Sequence, residues 1–350
     1  MNQFSKKLLA WHDQHGRHHL PWQQNKSAYK VWVSEIMLQQ TQVATVIDYF
    51  KRFMQRFPNI KQLAEADINE VLQLWAGLGY YARARNLHRA AIIIHLEHQG
   101  QFPKTLEQLQ TLPGIGRSTA AAILSLAYEI SAPILDGNVK RVFARHFEIK
   151  GYPNDSKVNK HFWSCVEKEM PTTRPGAYNQ ALMDMGSMIC TRTKPRCDIC
   201  PVKTSCLARK NNCITALPTP KPKKNRPEKQ VFFLLIQNKQ QQTLLYKRPH
   251  KGIWGGLWSL PECHRLEDIH AVLAKYFATN HSHQQKLSPF HHDFTHYRLY
   301  IQPVLISLTH YQQHAHSADE WHWHDPHKIK PIGLPAPVTK LLGISGQAAA

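Results

Sequence analysis

The chain has 350 residues, more than one hydrophobic core usually organises, so two domains are expected. Apolar residues make up 42% and charged residues 19%, which excludes a disordered tail, a collagenous rod and a coiled coil. Lys and Arg number 44 against 24 Asp and Glu, a formal charge of +20 that calls for a polyanionic partner.

The first apolar run, residues 8–11, is too short for a signal-peptide core and no small-residue cleavage site follows it. A cytoplasmic location is expected, on the nucleoid if the source is bacterial. From Phe4 to about Cys213 apolar residues recur at helical spacings, as in 43–53 and 68–75, with Gly or Pro in the turns. Residues 1–213 therefore read as an all-α domain. On a helix, Trp32, Glu35, Ile36 and Gln39 share one face, which sets Glu35 beside an aromatic and an aliphatic side chain. Desolvation there raises a carboxyl pKa; the plainer alternative is a surface Glu on an amphipathic helix. The nearly apolar stretches 90–96 and 119–128 fall short of the roughly 20 residues a spanning helix needs, so no membrane role is expected.

Residues 106–127 place one helical stretch before LPGIG and another after it. Gly114 and Gly116 permit a tight turn and leave backbone N–H groups at the second helix's start bare for a phosphate oxygen. This is a helix–hairpin–helix pattern, although an ordinary helix–helix turn also takes this form. Twenty residues after Gly116 stands Asp136, in SAPILDGNVKRV, where a turn or N-cap role competes with a reactive carboxylate.

Cys190, Cys197, Cys200 and Cys206 follow at spacings x6, x2 and x5, close enough for one loop to gather four sulfurs around a single centre. Thiolates suit zinc or an iron–sulfur cluster, and spacing alone does not choose between them. Cys165, Cys213 and Cys263 belong to no such pattern. Arg192, Lys194, Arg196 and Lys203 add cations to the loop, a natural contact for backbone phosphates.

Residues 214–230 carry four Pro, five basic residues and one acid, and read as an extended linker. Beyond it, 231–237 and 243–247 are β-type runs joined by NKQQQ, a hairpin; 267–277 reads as a helix and 298–304 as a further strand. Residues 231–345 thus form a C-terminal α+β domain. Gly256-LWSLP-Glu262 has the G-x5-E opening of a Nudix box, but HAVLAK at 270–275 lacks the acidic oxygens that would hold Mg²⁺. Eleven His lie between His281 and His327; without recurring acidic or Cys partners they read as titrating surface groups and not as a metal site.

LPGIGRSTA, PILDGNVKR and the four-Cys loop together resemble the helix–hairpin–helix DNA glycosylase superfamily with an iron–sulfur cluster. Residues 31–46 and 74–88, VWVSEIMLQQTQVATV and LWAGLGYYARARNLH, narrow the resemblance to adenine DNA glycosylases of the MutY type, over both domains. It implies one [4Fe-4S] cluster, ahead of zinc, on the four Cys. It also implies a monomer acting on double-stranded DNA with adenine opposite 8-oxoguanine or guanine. Members that also cut the strand carry a Lys nucleophile where this chain has Ser118, which favours base removal alone.

By the same resemblance Glu35 protonates adenine and ionised Asp136, partnered by Asn138, stabilises the sugar cation or forms a transient ester. Gln39, Gln40 and Tyr80 are implied to fill the gap left by a flipped base, and Gln180 and Asp184 to lie near the base pocket. Phe294, Thr295 and His296 match the loop for 8-oxoguanine on a Nudix-like domain, with Thr where many members have Ser. The readings set against this one are a glycosylase/lyase for oxidised pyrimidines, a non-catalytic DNA-binding protein scaffolded by metal, and a Nudix hydrolase.

Overall fold

The computed structural model describes residues 2–222, 226–249, 252–294, 296–313, 320–325 and 332–347; Thr295, part of the linker, and His314, His316 and His327 lie outside them. The chain divides into two compact units, Met1–Ala66 with Arg83–Pro222, and Asp67–Ala82 with Lys223–Ala350. Residues 67–82 thus group with the second unit and not with the helices that flank them in the chain.

The chain runs through α1 (Gln3–His15), α2 (Ala28–Leu38), α3 (Val43–Arg56), α4 (Ile60–Ala64), α5 (Ile68–Leu74, in the second unit), α6 (Ala82–Glu97), α7 (Leu106–Thr111), α8 (Arg117–Tyr128), α9 (Gly137–His146), α10 (Ser156–Glu169), α11 (Pro175–Met188) and α12 (Leu207–Lys210). Local chemistry sets the starts: Asn2, Ser27, Thr105, Asp136 and Asp155 each accept a backbone N–H of the turn they open. In the first unit α2 packs on α8, and α11 runs against α1, α8 and α9. Trp32 of α2, Phe53 of α3, Phe143 of α9 and Phe162 of α10 are fully buried. At one crossing the approach needs glycine, because a Cβ on Gly186 of α11 would stand 2.6 Å from Asn138 Cβ. Among the described residues no helix is long and apolar enough to cross a membrane.

The second unit holds β1 (Glu228–Gln237), β2 (Thr243–Lys247), β3 (Trp258–Ser259), β4 (Glu262–Cys263), α13 (Ile269–Tyr276), β5 (Phe277–Lys286), β6 (Phe290–Asp293), β7 (Arg298–Gln313), β8 (Trp321–His324) and α14 (Ala336–Gln347). The expected hairpin is present, with Gln237 opposite Thr243 and Asn238 Oδ1 accepting the N–H groups of Gln240 and Gln242 across the turn. The central order is β3-β2-β1-β7-β5, with β1 and β7 parallel and the other pairs antiparallel. Alternation divides β1 between two cores: Leu234 and Ile236 pack with Ile269 and Leu273 of α13, while Val231, Phe233 and Leu235 pack with Val338 and Leu341 of α14. A mixed sheet covered on both faces is the α+β architecture that the runs beyond the linker implied.

Candidate active site and nucleic-acid interface

Glu35 sits in the last turn of α2 between buried Ser34 and Ile36. It is half-buried by surface yet surrounded deeply enough that desolvation raises its pKa to about 8, and the charge of Asp136 pushes the same way. Asp136 is the N-cap of α9. Its Oδ1 accepts the Val139 N–H at 2.7 Å and its Oδ2 accepts from Asn138 Nδ2 at 2.9 Å. Burial raises the Asp136 pKa, while these two hydrogen bonds and the Arg141 guanidinium draw it back part of the way. The N-cap reading of Asp136 is therefore correct, and it excludes nothing: the bonds that cap the helix also favour the ionised carboxylate.

The segment delivering Asp136 is held at several points. The Leu135 N–H donates to Ser118 Oγ at 3.2 Å, and the Ile134 N–H to Asn179 Oδ1 at 3.3 Å. Asn179, wholly buried, also donates to Ala132 O and Ser125 Oγ, both at 2.8 Å. Its role was not legible in advance; the one signal was an amide inside the largely apolar stretch 177–183.

Asn138 Oδ1 accepts from Arg141 Nη2 at 2.9 Å, and Arg141 Nε donates to the Cys190 carbonyl at 2.7 Å. One turn on, buried Arg145 donates to Cys190 Sγ at 3.4 Å and to the carbonyls of Thr191, Arg192, Ile214 and Leu217. The side chains of α9 thus bind the four-Cys loop on one side and the Asp136 carboxylate on the other. Cys190, Cys197, Cys200 and Cys206 line one cavity with Arg145 and Arg196. Burial raises the thiols of Cys197, Cys200 and Cys206, that of Cys200 to about 11. Among the described residues no three His, Cys, Asp or Glu side chains are gathered tightly enough for a single metal ion.

The hairpin is built as its glycines require. Gly114 has φ +79°, and a Cβ there would also stand 2.8 Å from Asn86 Cβ. Gly116 opens α8 with no side-chain cap, which leaves its first-turn N–H groups to meet an acceptor from outside. Beside it Arg117 lies 3.9 Å above the Trp163 ring and pairs with Glu167. Gln39 ends α2 and Gln40 follows at φ +57°. This turn is pinned by Arg83, whose Nη1 donates to the carbonyls of Ile36, Met37 and Gln39 at 2.8, 2.9 and 2.6 Å. No spacing pointed to Arg83. Gln180 and Asp184 are buried, with Gln180 Nε2 donating to Asp184 Oδ1 at 2.9 Å. Asp184 also receives the Arg17 backbone N–H and guanidinium at 2.8–2.9 Å, so both expected side chains belong to a network that ties residue 17 to α11.

In the second unit Tyr80 follows Gly79 at φ +50° and is 47% exposed. The Nudix-type helix, α13, carries no carboxylate, and Glu262 forms a bidentate pair with Arg248 at 2.8 and 2.9 Å. A carboxylate held in that way has little to offer a hard cation. Phe294 packs on the core beside α14 and His296 is exposed; Thr295 lies outside the described residues.

Residues 33–168 match the family model described as HhH-GPD superfamily base excision DNA repair protein, and residues 232–343 match the NUDIX domain. The chain is 41% identical over 342 residues to an adenine DNA glycosylase of Buchnera aphidicola subsp. Schizaphis graminum, covering 97% of this chain and 98% of the relative. It is 40% identical over 339 residues to that of Buchnera aphidicola subsp. Acyrthosiphon pisum, covering 97% and 96%. Among solved structures a thermostable thymine-DNA glycosylase is similar at TM-score 0.54 and 26% identity, over 59% of this chain and 95% of that one.

Proposed function

This chain belongs to the adenine DNA glycosylases, base excision repair enzymes that cleave an N-glycosyl bond, and we propose that it removes adenine standing opposite 8-oxoguanine or guanine in double-stranded DNA. What carries this reading is the carboxyl pair: Glu35, whose pKa desolvation and the charge of Asp136 push up to about 8, and Asp136, whose two oxygens accept from the Val139 N–H and the Asn138 amide. Two acids with divided protonation suit the cleavage of a glycosidic bond.

Adenine is first rotated out of the stack, at a cost of a few kcal/mol. The gap is filled by Gln39, Gln40 and Tyr80, while the hairpin of Gly114 and Gly116 and the loop cations hold phosphates. Glu35 then donates its proton to N7. The electrons of the bond between C1′ and N9 leave with the base, and the Asp136 carboxylate, oriented by Asn138, offsets the positive charge on the sugar or bonds to C1′. Water adds at C1′ and returns a proton to Glu35. Ser118 Oγ, accepting the Leu135 N–H, supports the Asp136 segment and supplies no amine, so strand cleavage through a Schiff base lacks its nucleophile. Gln180 and Asp184 shape the base pocket through Arg17.

Cys190, Cys197, Cys200 and Cys206 would hold one [4Fe-4S] cluster. Four thiols lining a shared cavity are a donor set that suits such a group, and the family resemblance places the cluster ahead of zinc. When bound, it cross-links the loop through iron–thiolate bonds. Phe294, Thr295 and His296 read the base opposite adenine, and the enzyme acts as a monomer in the cytoplasm, on the nucleoid if the source is bacterial.

The test is single-turnover adenine release from duplexes with A opposite 8-oxoguanine, G or T, followed by borohydride trapping. Release from the first two without a trapped adduct is expected. A trapped adduct would favour the glycosylase/lyase reading, and no release from any duplex would reject the proposal. Roughly four irons per chain, with visible absorbance, is the expected metal content.

A further inference from the structure

Trp254 occupies the loop between β2 and β3 at φ +55°, a backbone conformation that bulky residues seldom adopt. The turn is closed on both sides of it, by the Leu257 N–H to Trp254 O at 3.0 Å and the Gly256 N–H to Arg248 O at 3.1 Å. The ring points at the hairpin between β6 and β7. Its centroid lies 5.2 Å from that of Phe294 and 5.6 Å from that of His292, with Phe233 of the core at 6.2 Å behind it. The guanidinium carbon of Arg248, held by Glu262, stands 5.6 Å from the same ring. Phe294 in turn packs at 4.7 Å on the buried ring of Tyr297.

The hairpin is tightened from below as well. The Phe294 N–H donates to Tyr297 O at 2.9 Å, and Arg298 forms a two-pronged pair with Asp293 at 2.7 and 3.1 Å. Gripped through its backbone by Tyr297 and through its ring by Trp254, Phe294 is held in a set position before any ligand arrives. We propose that Trp254 is the positioning residue for Phe294: by clasping that ring it holds Phe294 in place and so sets discrimination between 8-oxoguanine and guanine. This rests on the reading that Phe294, Thr295 and His296 meet the base opposite adenine.

Discrimination is the quantity to measure, as the ratio of single-turnover adenine release opposite 8-oxoguanine to that opposite guanine, in the full-length protein. Trp254→Ala should lower this ratio about tenfold, mostly through the 8-oxoguanine duplex, and Trp254→Phe should restore much of it. Phe294→Ala should match it, and the double variant should be little worse than either single one, since one contact is removed. Trp254→Leu keeps apolar bulk against Phe233 and serves if the Ala variant fails to fold; the same fall is expected. An unchanged ratio in folded Trp254 variants, with a lowered ratio in Phe294→Ala and His296→Ala, overturns the role of Trp254 alone. Unchanged ratios in all of them overturn the reading of the loop, and the role of Trp254 with it.

Discussion

Arg141 Nη2 lies 2.9 Å from Asn138 Oδ1, and the same guanidinium reaches the Cys190 carbonyl through Nε at 2.7 Å. The orientation of Asn138, and through it the second oxygen of Asp136, is therefore tied to the backbone of the first loop cysteine. Arg141→Ala should free the Asn138 amide and slow adenine release by roughly 10- to 100-fold, with DNA binding less affected. Loss of the nearby cation should also raise the Asp136 pKa further, shifting the acidic limb of the pH–rate profile to higher pH. Single-turnover rates across pH check both effects.

The pH profile of the unaltered protein follows from the two carboxyls. Glu35 must hold its proton and has a pKa of about 8, so release should decline as pH rises through that value. Asp136 must be ionised and its pKa is raised, so release should also decline on the acidic side. Glu35→Gln should abolish the rate yet stabilise the fold. The native state binds the Glu35 proton more tightly than the unfolded chain, so native stability falls as pH rises from 4.5 to about 8. The gain in the variant should grow over that window and then level off. About 1–3 kcal/mol is expected, less than the full linkage because the side chain keeps some contact with water. Denaturant melts at pH 5 and pH 8.5 measure it.

Gly186 lies so close to Asn138 that a Cβ on it would stand 2.6 Å from the Asn138 Cβ. Gly186→Ala must push α9 from α11 or displace Asn138, and should cost about 1–3 kcal/mol of stability together with much of the catalytic rate. Thermal melts paired with single-turnover assays separate the two losses. A variant of normal rate would show that the crossing yields without moving Asn138.

Arg83 satisfies three carbonyls at the end of α2. Arg83→Ala leaves them buried without that donor and should destabilise by about 1–3 kcal/mol. It should also loosen the Gln39–Gln40 turn and weaken binding to a duplex holding an uncleavable adenine analogue. Urea denaturation and gel-shift titration test the two parts.

Steep salt dependence should accompany binding to any duplex, because the +20 charge acts on phosphates regardless of sequence. Replacing Arg192 and Lys194 together should reduce the slope of log K against log salt by about two, while leaving the preference among opposite bases unchanged. Affinities at several salt concentrations report both quantities.

What the sequence determined by itself was the set of local devices. Glycines at 114 and 116, the Cys spacings, the β-type runs after the Pro-Lys linker and the missing acids of 270–275 are each short-range signals, since turns, ligand loops and strand alternation depend on near neighbours in the chain. Glu35 and Asp136 could likewise be singled out by motif. The direction of the Glu35 shift was legible from its helix face; its size was not, because a pKa of about 8 also needs the Asp136 charge, which a segment about a hundred residues away brings to it. Arg83, Asn179, Arg141 and Arg145 were silent for the same reason: each serves backbone carbonyls or amides supplied by segments tens of residues away. The allotment of residues 67–82 to the second unit, and the clasp of Trp254 on Phe294, were decided at that level too, by packing between segments that no local pattern connects.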